Sequence, residues 1–247
     1  AAVDVHGITD SFLKDKPVFA EIVGDFVEFI ADSPLVIHNA EFDLGFINAE
    51  FERLGFAKLP SARAIDELGG LHVVVANAGI AGIGTVESTP LAQWERVLRV
   101  NATGAFLTCR AALPHLAAQG EGAIVNIASV LGLRASADRV AYSASKFAVI
   151  GLTQALAAEL APKGVRVNCI CPSSVRSGMT IDELKAHTGV ADDAQADALW
   201  TKVAAKRLPF GRSVEPDDIG RAVVWLCESD MVSGIALPVT GGEGLAG

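Results

Sequence analysis

Four short apolar runs, at residues 72–76, 123–127, 165–170 and 235–239, alternate with stretches of helical periodicity at 91–117, 140–160 and 217–226. Apolar runs of about four to eight residues suit buried strands, and the intervening stretches suit helices. Strands separated by helices pair in parallel, because each helix carries the chain back to the starting end of the sheet. The pattern therefore predicts an α/β fold, a Rossmann-like parallel sheet with helices on both faces. Residues 178–207, polar and alanine-rich, read as a helical insertion of the kind that often covers a binding site.

Composition narrows the function classes. With 51% apolar and 20% charged residues among 247, the chain can build a packed core, and general disorder is excluded. A net charge of −9 lacks the basic footprint of a nucleic-acid binder. No apolar run approaches the roughly 18 residues of a membrane span. The opening AAVDVHGITD has no basic region before an apolar stretch, so no secretory signal is expected. Cys109, Cys169, Cys171 and Cys227 form no CxxC pair. They read as buried free thiols in a reducing cytoplasm. His72, His115 and His187 show no metal spacing, and no metal site is expected.

The first 60 residues differ from the rest. They carry 11 acidic against 4 basic side chains, and eight of the 11 phenylalanines. Apolar spacing predicts a helix after Pro17, a short strand at Leu35, Val36 and Ile37, and a second helix capped by Asn39 and closed by Gly55. Two segments follow, a helix-strand-helix piece at 1–61 and a larger α/β piece at 62–247.

The strongest chemical constellation is Tyr142-Ser-Ala-Ser-Lys146. A spacing of four puts phenol and ammonium on one helix face, and a nearby positive charge favours phenolate, lowering the tyrosine pKa. Tyr142 is the only tyrosine in the chain. Ser129 ends the apolar run AIVNIAS, at a strand end where α/β sites sit. Its hydroxyl is placed to hold a substrate oxygen while Tyr142 transfers the proton.

These residues, with Ala76-Asn77-Ala78-Gly79, Val100-Asn101-Ala102-Thr103-Gly104, Asn126 to Ser129, Arg166-Val167-Asn168 and Pro238-Val239-Thr240-Gly241-Gly242, resemble the short-chain dehydrogenase/reductase family. The resemblance runs from about residue 62 to the C-terminus, 186 of 247 residues. It implies hydride transfer between NAD or NADP and an alcohol or carbonyl substrate. It implies Asn101, Ser129, Tyr142 and Lys146 as the catalytic set. Tyr142 is then the acid/base, Ser129 the substrate anchor, Lys146 the pKa tuner and ribose ligand, and Asn101 the holder of a relay water. It further implies that Asn77, Ala78, Gly79, Tyr142, Lys146 and the stretch Pro172 to Ser177, Val175 and Ser177 included, bind the cofactor. A homo-oligomer, dimer or tetramer, formed through the helix at 140–160, also follows from the resemblance. Ser173 departs from the family by standing where glycine usually follows the proline.

The family's TGxxxGxG turn, whose glycines let backbone N–H groups approach a pyrophosphate, is missing before residue 62. Residues 7–56 instead resemble the epsilon proofreading exonuclease subunit of DNA polymerase III, above all in Leu35-Val36-Ile37-His38-Asn39-Ala40-Glu41-Phe42-Asp43. Asp43 matches one metal-binding carboxylate of that family, but its other motifs are absent, and one carboxylate does not make a two-metal site. The chain thus reads as an apparent chimera. Pairing of residues 35–38 beside 72–76 would protect an otherwise open sheet edge. Glu41, Phe42 and Asp43 would then stand where glycines belong, setting acid and bulk against an anionic cofactor, so weak NAD(P) binding is expected. Three readings follow: a short-chain oxidoreductase, an inactive remnant of one, and a 3′–5′ exonuclease-like enzyme.

Overall fold

The computed structural model describes residues 70–243. The expected elements at 17–54, and the expected pairing of 35–38 with 72–76, lie outside the described residues. The described part contains β1 (Val73–Ala76), α1 (Leu91–Leu98), α2 (Gly104–Gln119), β2 (Gly122–Ile127), α3 (Val140–Leu160) and β3 (Val165–Pro172). It continues with α4 (Gly178–Thr188), α5 (Asp193–Arg207), α6 (Pro216–Glu228) and β4 (Ala236–Val239). All four strands pair in parallel in the order β1-β2-β3-β4. The four apolar runs are therefore the four strands, and the insertion at 178–207 is the helix pair α4 and α5.

Alternation along the strands sorts the core into two layers. Ile124, Val165 and Val167 pack on Cys109, Ala112 and Leu116 of α2 and on Ala157 and Leu160 of α3. Val125 and Ile170 pack on Leu226 of α6, on the opposite face. On β1, Val74 joins the first layer, whereas Val73 and Val75 are 44% and 38% exposed.

The stretch expected as one helix at 91–117 is α1 and α2 joined by a π-helical turn, Arg99–Thr103, and it runs through Pro114 to Gln119. Wider turns of this kind insert a residue into the ladder and recur at functional sites. Asn101 lies in this turn and is 1% exposed.

Two left-handed glycines end the crossovers. Gly120 follows α2 and Gly164 precedes β3, both at φ 73°. A Cβ on Gly164 would come within 2.0 Å of the Gly120 carbonyl oxygen, so neither the backbone angle nor the space admits a side chain. The Arg-Val-Asn run in β3 is structural. Arg166 donates to the carbonyls of Leu226 (2.6 Å), Cys227 (2.7 Å) and Ser229 (3.1 Å), capping the end of α6. Asn168 holds the loop before β4 by donating to the Val232 carbonyl and accepting from the Ile235 N–H.

Cys109, Cys169 and Cys171 are buried free thiols, and Cys227 is half-buried. Among the described residues no helix is long and apolar enough to cross a membrane.

Two glycines test how tightly α3 is seated. A Cβ on Gly132 would meet the Lys146 carbonyl carbon and oxygen at 2.8 and 2.7 Å, whereas one on Gly151 meets nothing within 4 Å. Gly132→Ala should destabilise by about 1–3 kcal/mol, since α3 must shift as a body. Gly151→Ala, in a helix interior, should stabilise by roughly 0.5–1 kcal/mol. Urea unfolding of both variants checks the contrast.

Candidate active site

The strands deliver three segments to their carboxyl ends, the place where open parallel sheets bind ligands. After β1 comes Asn77-Ala78-Gly79, after β2 comes Ser129, and β3 closes with Pro172 and leads to Ser177. Ladder bonding continues past β2, with the Ala128 N–H donating to the Ile170 carbonyl (2.8 Å), which fixes where Ser129 emerges. Ser129 is extended and caps a short 3-10 turn, Val130–Gly132, its Oγ accepting from the Leu131 N–H at 3.1 Å. Its own hydroxyl proton remains available to donate.

Tyr142 lies in the first turn of α3, close enough for the Ser129 hydroxyl to act on its phenol. Four residues on, Lys146 is only 4% exposed. Its Nζ donates to the Ile127 carbonyl at 2.8 Å and lies 5.7 Å from the centre of the Tyr142 ring. One side chain thus bolts the helix to the end of β2.

Asn101 reaches the same place from the π turn. Its Oδ1 accepts from the Ile80 N–H (2.8 Å), and its Nδ2 donates to the Ile80 carbonyl (3.0 Å) and to Ser145 Oγ (3.0 Å). Ser145 passes the connection on, donating to the Tyr142 carbonyl at 2.7 Å. Asn101 therefore fastens the segment after β1 to the first turn of α3. A Cβ on Gly79 would stand 3.3 Å from Lys146 Nζ and 3.4 Å from Asn101 Oδ1, so this glycine is what lets that segment pass so closely. The Ser129, Tyr142, Lys146 and Asn101 side chains are brought together.

The electrostatics differ from the simple spacing argument. The Tyr142 phenol is raised above its ordinary value, first because burial strips water from the phenolate. Ser129, donating to the phenolate, pulls the other way, as does Arg139, while the Glu183 carboxylate adds to the rise. The expected lowering by Lys146 is not what governs the phenol. Burial pushes Lys146 itself down to about 8, so its charge is partly lost at mildly alkaline pH.

Pro172 is buried, and Ser173, Val175 and Ser177 are half-buried. The Ser173 N–H donates to the Val239 carbonyl (3.3 Å), and its Oγ donates to the Thr240 carbonyl (3.4 Å). The serine that replaces a glycine thus turns towards the chain end beyond β4. Ser177 caps α4 in a reciprocal box with Thr180. These residues and the Asn77-to-Gly79 turn gather with Ser129, Tyr142 and Lys146 at the carboxyl ends of the strands. The hydroxyls of this set and the Lys146 ammonium are donors of the kind that suit a nucleotide's ribose and amide.

Sequence reasoning missed the Ile80 backbone and Ser145 as partners of Asn101. It also missed Arg139 and Glu183, which bond to each other at 2.8 and 3.0 Å and both act on the phenol. Arg139 stands just ahead of α3, a position that hints at contact, but Glu183 is 44 residues away and carries no local signal. No group of three or more potential metal ligands occurs among the described residues.

A family model described as short chain dehydrogenase matches residues 36–188. Its match begins ahead of residue 62, within the stretch that resembles the exonuclease. The chain is 41% identical over 181 residues to a 3-alpha-(or 20-beta)-hydroxysteroid dehydrogenase of Mycobacterium tuberculosis, covering 72% of this chain and 63% of that relative. It is 39% identical over 180 residues to 2-(S)-hydroxypropyl-CoM dehydrogenase 3 of Xanthobacter autotrophicus, covering 71% and 67% respectively. The chain therefore spans less than two thirds of the length of the first curated relatives it matches. Among solved structures, the aldohexose dehydrogenase of Thermoplasma acidophilum superposes with a TM-score of 0.69 at 27% identity, covering 85% of this chain and 76% of that one.

The lysine gives a stability test. Its folded pKa of about 8 lies below its ordinary 10.5, so between the two the unfolded chain holds a proton that the folded chain has lost. Stability attributable to Lys146 therefore climbs as pH rises from about 8 towards 10.5. Lys146→Met should remove this climb and stabilise the protein at neutral pH by on the order of 1–3 kcal/mol. Thermal unfolding of both proteins across that range measures it.

Proposed function

The chain belongs to the short chain dehydrogenase family, and we propose that it moves a hydride between NAD(P) and an alcohol or carbonyl carbon, with Tyr142 as the proton-transferring group. The observation that carries this reading is the placement of Ser129 at the carboxyl end of β2 and Tyr142 on the first turn of α3, with the buried Lys146 bonded to the Ile127 carbonyl between them. Ser129 holds the substrate oxygen once its hydroxyl proton turns from the phenol to the bound substrate. In oxidation, the Tyr142 phenolate takes the alcohol proton, and in reduction the phenol gives it back. Lys146 keeps a positive charge under the ring below about pH 8. Asn101 keeps Ile80, and with it the wall opposite Tyr142, in place, and holds the water through which the proton leaves. Bound NAD(P) supplies the hydride acceptor or donor. Asn77, Ala78, Gly79, Pro172, Val175 and Ser177, with Tyr142 and Lys146, hold its nicotinamide side.

The reading includes weak dinucleotide binding, because residues 1–61 carry no glycine-rich turn and carry the acidic and bulky run Glu41-Phe42-Asp43 instead. It places the boundary between an exonuclease-like piece and the dehydrogenase-like piece at residues 61 and 62, in a cytoplasmic protein with reduced thiols. A homo-oligomer is part of it. Phe106 and Leu107 on α2 and Phe147 on α3 are 42%, 43% and 46% exposed, on the two helices that cover one sheet face. No nucleic-acid partner is proposed.

Mixing the protein with NAD or NADP and a panel of secondary alcohols, or with reduced cofactor and ketones, should change cofactor absorbance. Tyr142→Phe should lose about 100-fold to 10,000-fold of that rate. Calorimetry should find NAD(P)H dissociation well above the low micromolar range. Tight binding would overturn the weak-binding part of the reading, and a rate that survives Tyr142→Phe would overturn the rest.

A further inference from the structure

The covering helix α4 buries none of its side chains. Its neighbour α5 differs, burying Ala196, Trp200 and Ala204. An element without buried apolar contacts opens at little cost unless something else ties it down. Its half-buried Ile181 and Leu184, and Thr180 Oγ1 donating to the Val175 carbonyl, hold it in part, and two ion pairs tie it further, Lys185 to Asp193 of α5 and Glu183 to Arg139. The second tie crosses to the catalytic helix. Arg139 is the residue that caps α3, three positions before Tyr142. Its two terminal nitrogens donate to the two Glu183 oxygens at 2.8 and 3.0 Å, a bidentate fork. The two side chains are only 23% and 24% exposed, so solvent and salt weaken the pair less than a surface one.

We propose that Arg139 and Glu183 form a latch that holds the covering helix against the catalytic helix and, while closed, sets a balanced charge beside the Tyr142 phenol. This deepens the reading of Tyr142 as the acid/base and rests on it. Both are positioning residues.

The groups around the phenol define what the latch does. On or just ahead of its own helix stand Asp138, Arg139 and Lys146, and on α4 stand Asp182, Glu183 and His187. Ser129 comes from the end of β2 and Cys171 from β3, while α1, packed on α3, carries Glu95 and Arg96, with Arg99 just beyond it. Besides burial, it is Ser129, Glu183 and Arg139 that act on the phenol. Glu183 opposes the phenolate and Arg139 favours it. Closed, the two largely offset. Open, Arg139 stays near the phenol while Glu183 leaves with α4, and the phenolate gains. By linkage, loss of the phenol proton must in turn favour opening. The lid and the proton-transfer group are thus coupled through one ion pair.

The full-length chain tests this without cofactor or substrate. Glu183→Gln, Arg139→Gln and the charge swap carrying both Arg139→Glu and Glu183→Arg are compared with the unaltered protein. Hydrogen–deuterium exchange of α4 amides should run about tenfold faster in both single variants, a factor equivalent to roughly 1.4 kcal/mol, and should return towards the original in the swap. Because Tyr142 is the only tyrosine, near-ultraviolet tyrosinate absorbance reads its ionisation directly. It should titrate at lower pH in Glu183→Gln than in Arg139→Gln. Unchanged exchange in the single variants, or a phenol that titrates alike in both, would overturn the latch. Should the swap fail to fold, the two single variants decide. Neither readout needs turnover, so a protein that proves inert as a dehydrogenase would sink the functional reading and leave the latch standing or falling by itself.

Discussion

The hydrogen bond from Lys146 Nζ to the Ile127 carbonyl is the contact on which the site depends. It joins the middle of one turn of α3 to the last residue of β2, and it does so in a place almost closed to water. An ammonium in such a place is costly unless its donors are used, and the cost shows as a pKa drawn down to about 8. The neighbouring phenol, half-buried, is moved by desolvation in the opposite direction. Burial thus separates two groups whose ordinary values, 10.0 and 10.5, nearly coincide: the ammonium gives up its proton well before the phenol does, and both groups are pushed towards their neutral forms.

The rest of the described fold secures that geometry. Parallel pairing brings Asn77, Ser129 and Pro172 out at the same end of the sheet. The π turn aims Asn101 at Ile80 and Ser145, so the loop after β1 and the first turn of α3 move as one piece. Arg166 and Asn168, deep in the sheet, hold the end of α6 and the loop before β4 by backbone carbonyls and spend nothing on chemistry. The covering helices are attached differently, α5 by a buried face and α4 by charge. A rigid floor with a charge-tethered cover is a sensible division for a site that must admit a substrate and then exclude water.

Much of this was legible in the sequence. Apolar runs bounded by helical stretches located the four strands to within about two residues, because parallel strands buried on both faces leave that continuous signal. The Tyr142–Lys146 spacing and the position of Ser129 at a strand end pointed to three side chains that the fold places at one end of the sheet. Other features left no trace. A π turn has the same residue types as the helix around it, so Arg99–Thr103 read as plain helix. The Arg139–Glu183 contact joins residues 44 apart, beyond any periodicity. The direction of the Tyr142 shift was misjudged because spacing reports the nearest charge, whereas the depth of burial, which here outweighs it, is a property of the folded chain.

The most direct measurement is the ultraviolet titration of the single tyrosine in the folded protein, alongside Ser129→Ala. The account predicts ionisation above the ordinary value of 10, and a further rise when the Ser129 hydroxyl that donates to the phenolate is removed. A phenol that ionises at or below 10, or that ignores the loss of Ser129, would mean that Tyr142 is neither buried nor paired with that serine, and the proposed proton-transfer site would not exist as described.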